Sequence, residues 1–179
     1  MTCVVGLIDS GKVWLGADRA GTIEEHFRIL SLCKVFRIGC FIAGGRGSAR
    51  ALQLIQYKLK LRQSKTPLEV NTKYMATKFI GAINSCLKKE DGSMAGEGVE
   101  NAWLVGYNRG NNPLLYHIQG DFSVFPISDF AAIGTGDKIA LGVLYATQGK
   151  PPEERITLAL EAAEYYIGTV RKPFDILCL

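Results

Sequence analysis

Thr2 has the clearest chemical potential in this sequence, standing one peptide bond from the chain start and directly ahead of the apolar run Cys3-Val4-Val5. With Met1 removed, it would carry a hydroxyl and a free α-amine on one residue, a nucleophile together with its own base. A Met-Thr start alone is common, so the rest of the chain has to supply partners. Two glycine-rich stretches, Gly44-Gly45-Arg46-Gly47-Ser48 and Gly134-Thr135-Gly136-Asp137-Lys138, each open a helical pattern. Neither is a nucleotide loop. The second has the wrong spacing for a P-loop and no hydroxyl residue after its lysine; the first lacks G-x-G-x-x-G and the later acidic residue. What remains is glycine-permitted backbone entering a helix, whose N–H groups can hold an oxyanion as readily as a phosphate.

Composition narrows the alternatives. The 179 residues suit one domain spanning 1–179 with its own core. No apolar run approaches the ~20 residues of a membrane span. Asp9, Gly11 and Lys12 interrupt what would be a signal peptide, so a cytoplasmic protein without membrane association is expected. A net charge of +4 without aromatic-basic interleaving gives no reason to expect a nucleic-acid partner. The five cysteines, Cys3, Cys33, Cys40, Cys86 and Cys178, form no C-x-x-C pair, and only His26 and His117 accompany them. No metal or other cofactor is therefore expected, and the thiols read as buried and reduced.

The elements that must position these groups follow from periodicity. Residues 2–8 and 13–18 read as a hairpin around Asp9-Ser10-Gly11-Lys12, delivering Asp18-Arg19 into a loop through Thr22 and His26. Lys34 to Ile38 alternates as a half-buried strand, and Cys40 to Ala43 continues beyond Gly39. A helix is expected from Ala49 to about Arg62, capped by Ser48, with Leu52, Ile55 and Leu59 inward. Its basic end, Lys58 to Lys65, suits a solvated helix C-terminus. A second helix should run from Leu68 to Lys88 with Ala76, Ile80, Ile83 and Leu87 inward, and residues 90–98 should form a polar connection. Strands follow at 102–107, 114–119, 122–125 and 131–133, separated by the turn signals Arg109-Gly110-Asn111-Asn112 and Gly120-Asp121. Two helices, to Thr147 and from Pro151 to Tyr166, precede a last strand over 174–179. Strands and helices arrive in runs. That order predicts an α+β fold, an αββα sandwich of two antiparallel sheets with a helix pair on each outer side.

These residues together resemble a β-type subunit of the proteasome family, nearest in length and organisation to the HslV-like peptidases. The resemblance rests on the Thr2 strand, Gly16-Ala17-Asp18-Arg19, Lys34-Val35, the glycine-rich turn into a helix, Ile133-Gly134-Thr135-Gly136 and the closing helix and strand. Asp18 lies 16 residues after Thr2 and Lys34 lies 32 after it, the family's spacings for its aspartate and lysine. The family is one of N-terminal nucleophile hydrolases. The resemblance implies Thr2 as nucleophile, its amine as base, Lys34 as a cation lowering that amine's pKa, Asp18 as the partner of Lys34, and Thr135 as a hydrogen-bond relay. It marks Arg19, Gly45, Arg46 and Gly47 as the oxyanion and substrate loop. It further implies a threonine endopeptidase enclosed in a homo-oligomeric ring or stacked rings, acting on unfolded protein or peptides, with an ATP-dependent unfoldase as partner.

Some positions depart from the family pattern. Arg46 stands where the family usually has its oxyanion glycine, a backbone donor only if its φ is negative; its side chain could select acidic substrate residues. Tyr165 to Val170 offer no match for the proteasomal aspartate and serine, and Glu164 falls opposite an HslV-like aspartate. The lack of a propeptide is HslV-like, whereas Asp18-Arg19 is more proteasomal. A catalytically silent ring scaffold or binding module is the rival reading, and a small-molecule amidohydrolase the third.

Overall fold

The computed structural model describes residues 2–61, 70–90 and 101–179. β1 (Cys3–Asp9) and β2 (Lys12–Asp18) form the expected hairpin. Its two turn residues, Ser10 and Gly11, have φ of 51° and 71°, the sign pattern of the primed turns that match strand twist. β10 (Phe130–Gly134) pairs with β1, and β11 (Phe174–Cys178) with β2, giving an antiparallel sheet in the order β10-β1-β2-β11. β5 (Val35–Ile38), β6 (Phe41–Arg46), β7 (Ala102–Asn108), β8 (Pro113–Ile118) and β9 (Val124–Ile127) form a second antiparallel sheet in chain order.

Side-chain alternation divides the core into three layers. Val4, Leu15, Ile42, Leu104 and Leu115 meet between the sheets. Cys3, Val5 and Leu7, one residue out of phase, face α4 (Asp137–Ala146) and α5 (Pro152–Tyr166). Phe41, Ala43, Trp103 and Val105 face α1 (Ala49–Lys58) and a second helical segment. That segment runs as α2 (Thr72–Tyr74), a π-helical turn (Met75–Phe79) and α3 (Ile80–Glu90). The result is the predicted four-layer αββα sandwich. α5 is held at both ends by arginine. Arg155, 5% exposed, reaches Asp9 and the Leu144 carbonyl, while Arg171 caps the helix by donating to the carbonyls of Glu164, Ile167 and Val170.

Several expectations need correction. Residues 19–30 are not a plain loop: β3 (Ala20–Ile23) and β4 (His26–Ile29) pair as a separate ribbon, with Glu24 at φ 55° in its turn. The ribbon is covered by neither sheet, so its exposed Ile23, Phe27 and Ile29 carry no burial pattern to read. Gly44 and Gly45 are not a turn but strand residues of β6, paired with Val35 and with Leu104 and Trp103. α1 stops at Lys58 because Leu59 turns extended (ψ 117°), and Arg62, Lys65 and Pro67 lie outside the described residues. Within residues 70–90 the second helix begins at Thr72, where Asn71 caps it by accepting the Tyr74 N–H; Leu68 lies outside. The π turn shifts its phase, so Met75 and Phe79 are buried and Ala76 is exposed. β9 starts two residues late because Phe122, at φ 67°, is still in the turn. The connection expected over 90–98 lies almost wholly outside the described residues. No helix among them is long and apolar enough to cross a membrane.

α5 crosses β2 at Gly16, where an added Cβ would lie 2.3 Å from Ile156 Cγ2. Gly16→Val should lower stability by about 1–3 kcal/mol through overpacking, read as a lower urea midpoint at unchanged m-value. An unchanged midpoint would show that α5 does not approach this closely.

Candidate active site

Asp18 ends β2 fully buried, and Lys34, 7% exposed, stands immediately before β5 in the other sheet. Lys34 Nζ donates to both carboxylate oxygens, at 2.9 and 3.0 Å. The same oxygens accept the Cys3 N–H at 2.9 Å and the Ala20 N–H at 2.8 Å. A buried carboxylate is tolerated when its lone pairs are satisfied in this way. Burial pushes the Lys34 ammonium below the ordinary lysine range, and the adjoining Asp18 opposes that shift.

Thr2, 6% exposed, precedes the Cys3 amide held by Asp18. Its backbone N–H lies 3.4 Å from Thr135 Oγ1, which itself donates to the Thr2 carbonyl at 3.3 Å. The chain can come this close because Gly134 sits at φ 108°, where a Cβ would lie 2.1 Å from the Thr2 carbonyl oxygen. Thr2, Asp18, Lys34 and Thr135 are thus brought together. Cys3 is turned away. Its thiol lies among the residues facing α4 and α5, and burial, followed by Asp18 and Asp137, pushes its pKa up to about 12 against the pull of Lys34.

The candidate oxyanion and substrate residues separate. The Gly45 N–H is committed to the Lys34 carbonyl at 3.3 Å, and its missing side chain makes room for the Trp103 indole. Arg46 shares the inter-sheet face with Ile42 and Gly44, and its charge, after burial, lowers the pKa of His117 on β8. Gly47, at φ 112°, forms the turn, and Asn101 fixes it by accepting the Ser48 N–H at 2.9 Å. Ser48 caps α1 as expected, accepting the Ala51 N–H. Arg19, just past the end of β2, turns toward β11, where its guanidinium grips Asp175 through two hydrogen bonds. Glu164 accepts the Lys172 N–H at 3.0 Å. Asn101 and Asp175 escaped the sequence reading. Their only sequence signals are an amide before a strand and one acid inside Phe174-Asp175-Ile176-Leu177. Among the described residues no cluster of His, Cys, Asp or Glu could hold a metal ion.

Two face-to-face sheets between helix pairs, with a hydroxyl residue opening a central strand beside a buried Asp–Lys pair, define the N-terminal nucleophile hydrolase fold. The chain belongs to the proteasome subunit family, whose family model matches residues 1–165. Solved structures carry the same fold at low identity. The Thiobacillus denitrificans BPH in complex with epoxomicin superposes with a TM-score of 0.76 at 18% identity, over 99% of this chain and 98% of that one. HslV from Trypanosoma brucei gives 0.68 at 18%, over 99% of each chain. Anbu (ancestral beta-subunit) from Yersinia bercovieri gives 0.74 at 16%, over 99% of this chain and 81% of its own. No curated protein sequence matches the chain.

Removing one partner of the buried pair strands the other's charge. Asp18→Asn should therefore cost about 3–5 kcal/mol in chemical denaturation, and a loss below about 1 kcal/mol would contradict this role for the pair. The Cys3 thiol, protonated up to about pH 12 in the fold, should resist iodoacetamide at pH 8 until the protein unfolds, as peptide mapping would show. Because its folded pKa lies above the unfolded value, the stability it adds is present below pH 9 and lost as pH rises toward 12.

Proposed function

We propose that the protein is a threonine endopeptidase in which Thr2, freed by removal of Met1, attacks peptide carbonyls. The observation carrying this reading is the single carboxylate of Asp18, which binds both the amide following Thr2 and the Lys34 ammonium. That carboxylate fixes the nucleophile's strand and the cation in one frame. The α-amine, ordinarily titrating near ~7.7–8.0, would take the Thr2 hydroxyl proton with Lys34 repelling its protonated form. Thr135 Oγ1, 3.4 Å from the Thr2 nitrogen, is placed to accept from that amine. With Gly45 committed to the Lys34 carbonyl and Arg46 paired opposite Ala102 in β7, the Gly47 amide is the remaining candidate for the oxyanion. Family membership supports homo-oligomeric assembly around unfolded protein or peptide substrates, with an ATP-dependent unfoldase feeding them. An Anbu complex from Pseudomonas aeruginosa, similar in fold, forms a helical assembly.

A specific observation favours the rival, a silent scaffold: the stretch from Tyr165 to Val170 contains no aspartate or serine, and Glu164 is engaged with Lys172. Intact mass separates the two. Protein lacking Met1 should be labelled at Thr2 by a peptide epoxyketone and lose turnover in Thr2→Ala. Retained Met1 in active protein, or a full rate in Thr2→Ala, would sink the threonine mechanism. Because the base must be neutral, kcat/KM should fall as pH drops through the amine's pKa, at or below about 7.7–8.0. On a peptide panel, Arg46→Gly should weaken cleavage after acidic residues by about 10-fold or more, roughly one surface-screened charge contact in a cleft. An unaltered panel would remove Arg46 from substrate selection.

A further inference from the structure

The Asp18–Lys34 pair is flanked by Arg19 on one side and Cys33 on the other, and both flanking side chains converge on one carboxylate. Arg19 Nε donates to Asp175 Oδ2 at 2.8 Å, and Nη2 donates to Oδ1. The Cys33 thiol is near enough to the same carboxylate that Asp175, after burial, pushes its pKa up. Asp175 comes from the last strand, β11, opposite Ala17 in register. Its side chain is 17% exposed and that of Arg19 28%, so the contact is sheltered without being deeply buried.

We infer that Asp175 is a positioning residue for the active site, clamping the residues beside Asp18 and Lys34 so that carboxylate and ammonium meet beside Thr2. This rests on the peptidase reading above. An isolated ion pair at this exposure adds little stability. A forked arginine contact, however, fixes direction and distance. Two chain segments that share no strand pairing, the end of β2 and the approach to β5, are referenced to one rigid point. Small errors in such placement fall on rate more than on folding.

The test uses the full assembled chain. Asp175→Asn should lower kcat by about 10–100-fold with KM unchanged. Cys33→Ser, which keeps a donor, should retain the rate, whereas Cys33→Ala should lose part of it. The double variant Asp175→Asn/Cys33→Ala should be no slower than Asp175→Asn, because both act through one carboxylate. Amide hydrogen exchange supplies a readout independent of turnover. The Cys3 and Ala20 amides, both bound to Asp18, should exchange faster in Asp175→Asn. If the wild type neither cleaves peptides nor takes an epoxyketone, the peptidase reading fails, and faster exchange at these two amides would still establish the clamp. Unchanged kcat and unchanged protection in Asp175→Asn would overturn it, as would a lowered melting temperature with kcat intact. Should Asp175→Asn fail to fold, equal rates for Cys33→Ser and Cys33→Ala overturn the clamp, and rescue by serine alone upholds it.

Discussion

The structure turns on one buried carboxylate. Asp18, with no exposed surface, accepts two backbone amides and both contacts from Lys34. These partners belong to three segments: the start of β1, the first residue of β3 and the residue before β5. Asp18 lies in one sheet and Lys34 leads into the other, so their bond joins the two sheets at one end of the layer between them. Desolvating a lone carboxylate there would be prohibitive. Lys34 and the two amides offset that cost only in one geometry, and so the pair specifies how the sheets meet more than it adds to stability.

Elsewhere between the sheets, precision comes from missing side chains. A Cβ on Gly44 would lie 2.8 Å from Val4 Cγ1, and one on Gly106 the same distance from Val13 Cγ2. Glycine at these points lets backbone from one sheet settle against side chains of the other. Gly134 extends the same device to the site itself, bringing the end of β10 onto the Thr2 carbonyl so that Thr135 can bridge Thr2. Positions fixed by backbone contact have little rotamer freedom, the condition for a nucleophile held within a fraction of an ångström.

What could be read in the sequence was what repeats locally. The β-rich run ahead of Asp9-Ser10-Gly11-Lys12 and the alternation after Lys34 marked β1 and β5, and Ser48 announced its helix. Thr2, Asp18 and Lys34 were legible only as a set of residue types at a family's spacings, since an acid ending a strand has many other uses. The β3–β4 ribbon was illegible because neither of its faces lies on a core, and Glu24-Glu25-His26 masked its turn. Gly44-Gly45 misled because glycine signals both turns and close packing, and only the Trp103 and Val4 neighbours decide between them. Asp175 and Asn101 depend on which distant backbone comes alongside, a matter of strand order that no local pattern encodes.

Strand alternation also separates two adjacent side chains of nucleophilic type. Thr2 and Cys3 are neighbours at the start of one strand, and cysteine is intrinsically the stronger nucleophile once ionised. Period-2 geometry turns Cys3 toward α4 and α5, where burial and two acids hold its thiol protonated. The same alternation leaves Thr2 on the Thr135 side, beside a cation and a carboxylate. A one-residue slip of β1 would exchange the two, but its register is tied at Val4↔Ala17, at Val4↔Ile133 and through the Cys3 amide on Asp18. The carboxylate that holds the cation is therefore also what keeps Thr2, and not Cys3, on the Thr135 side.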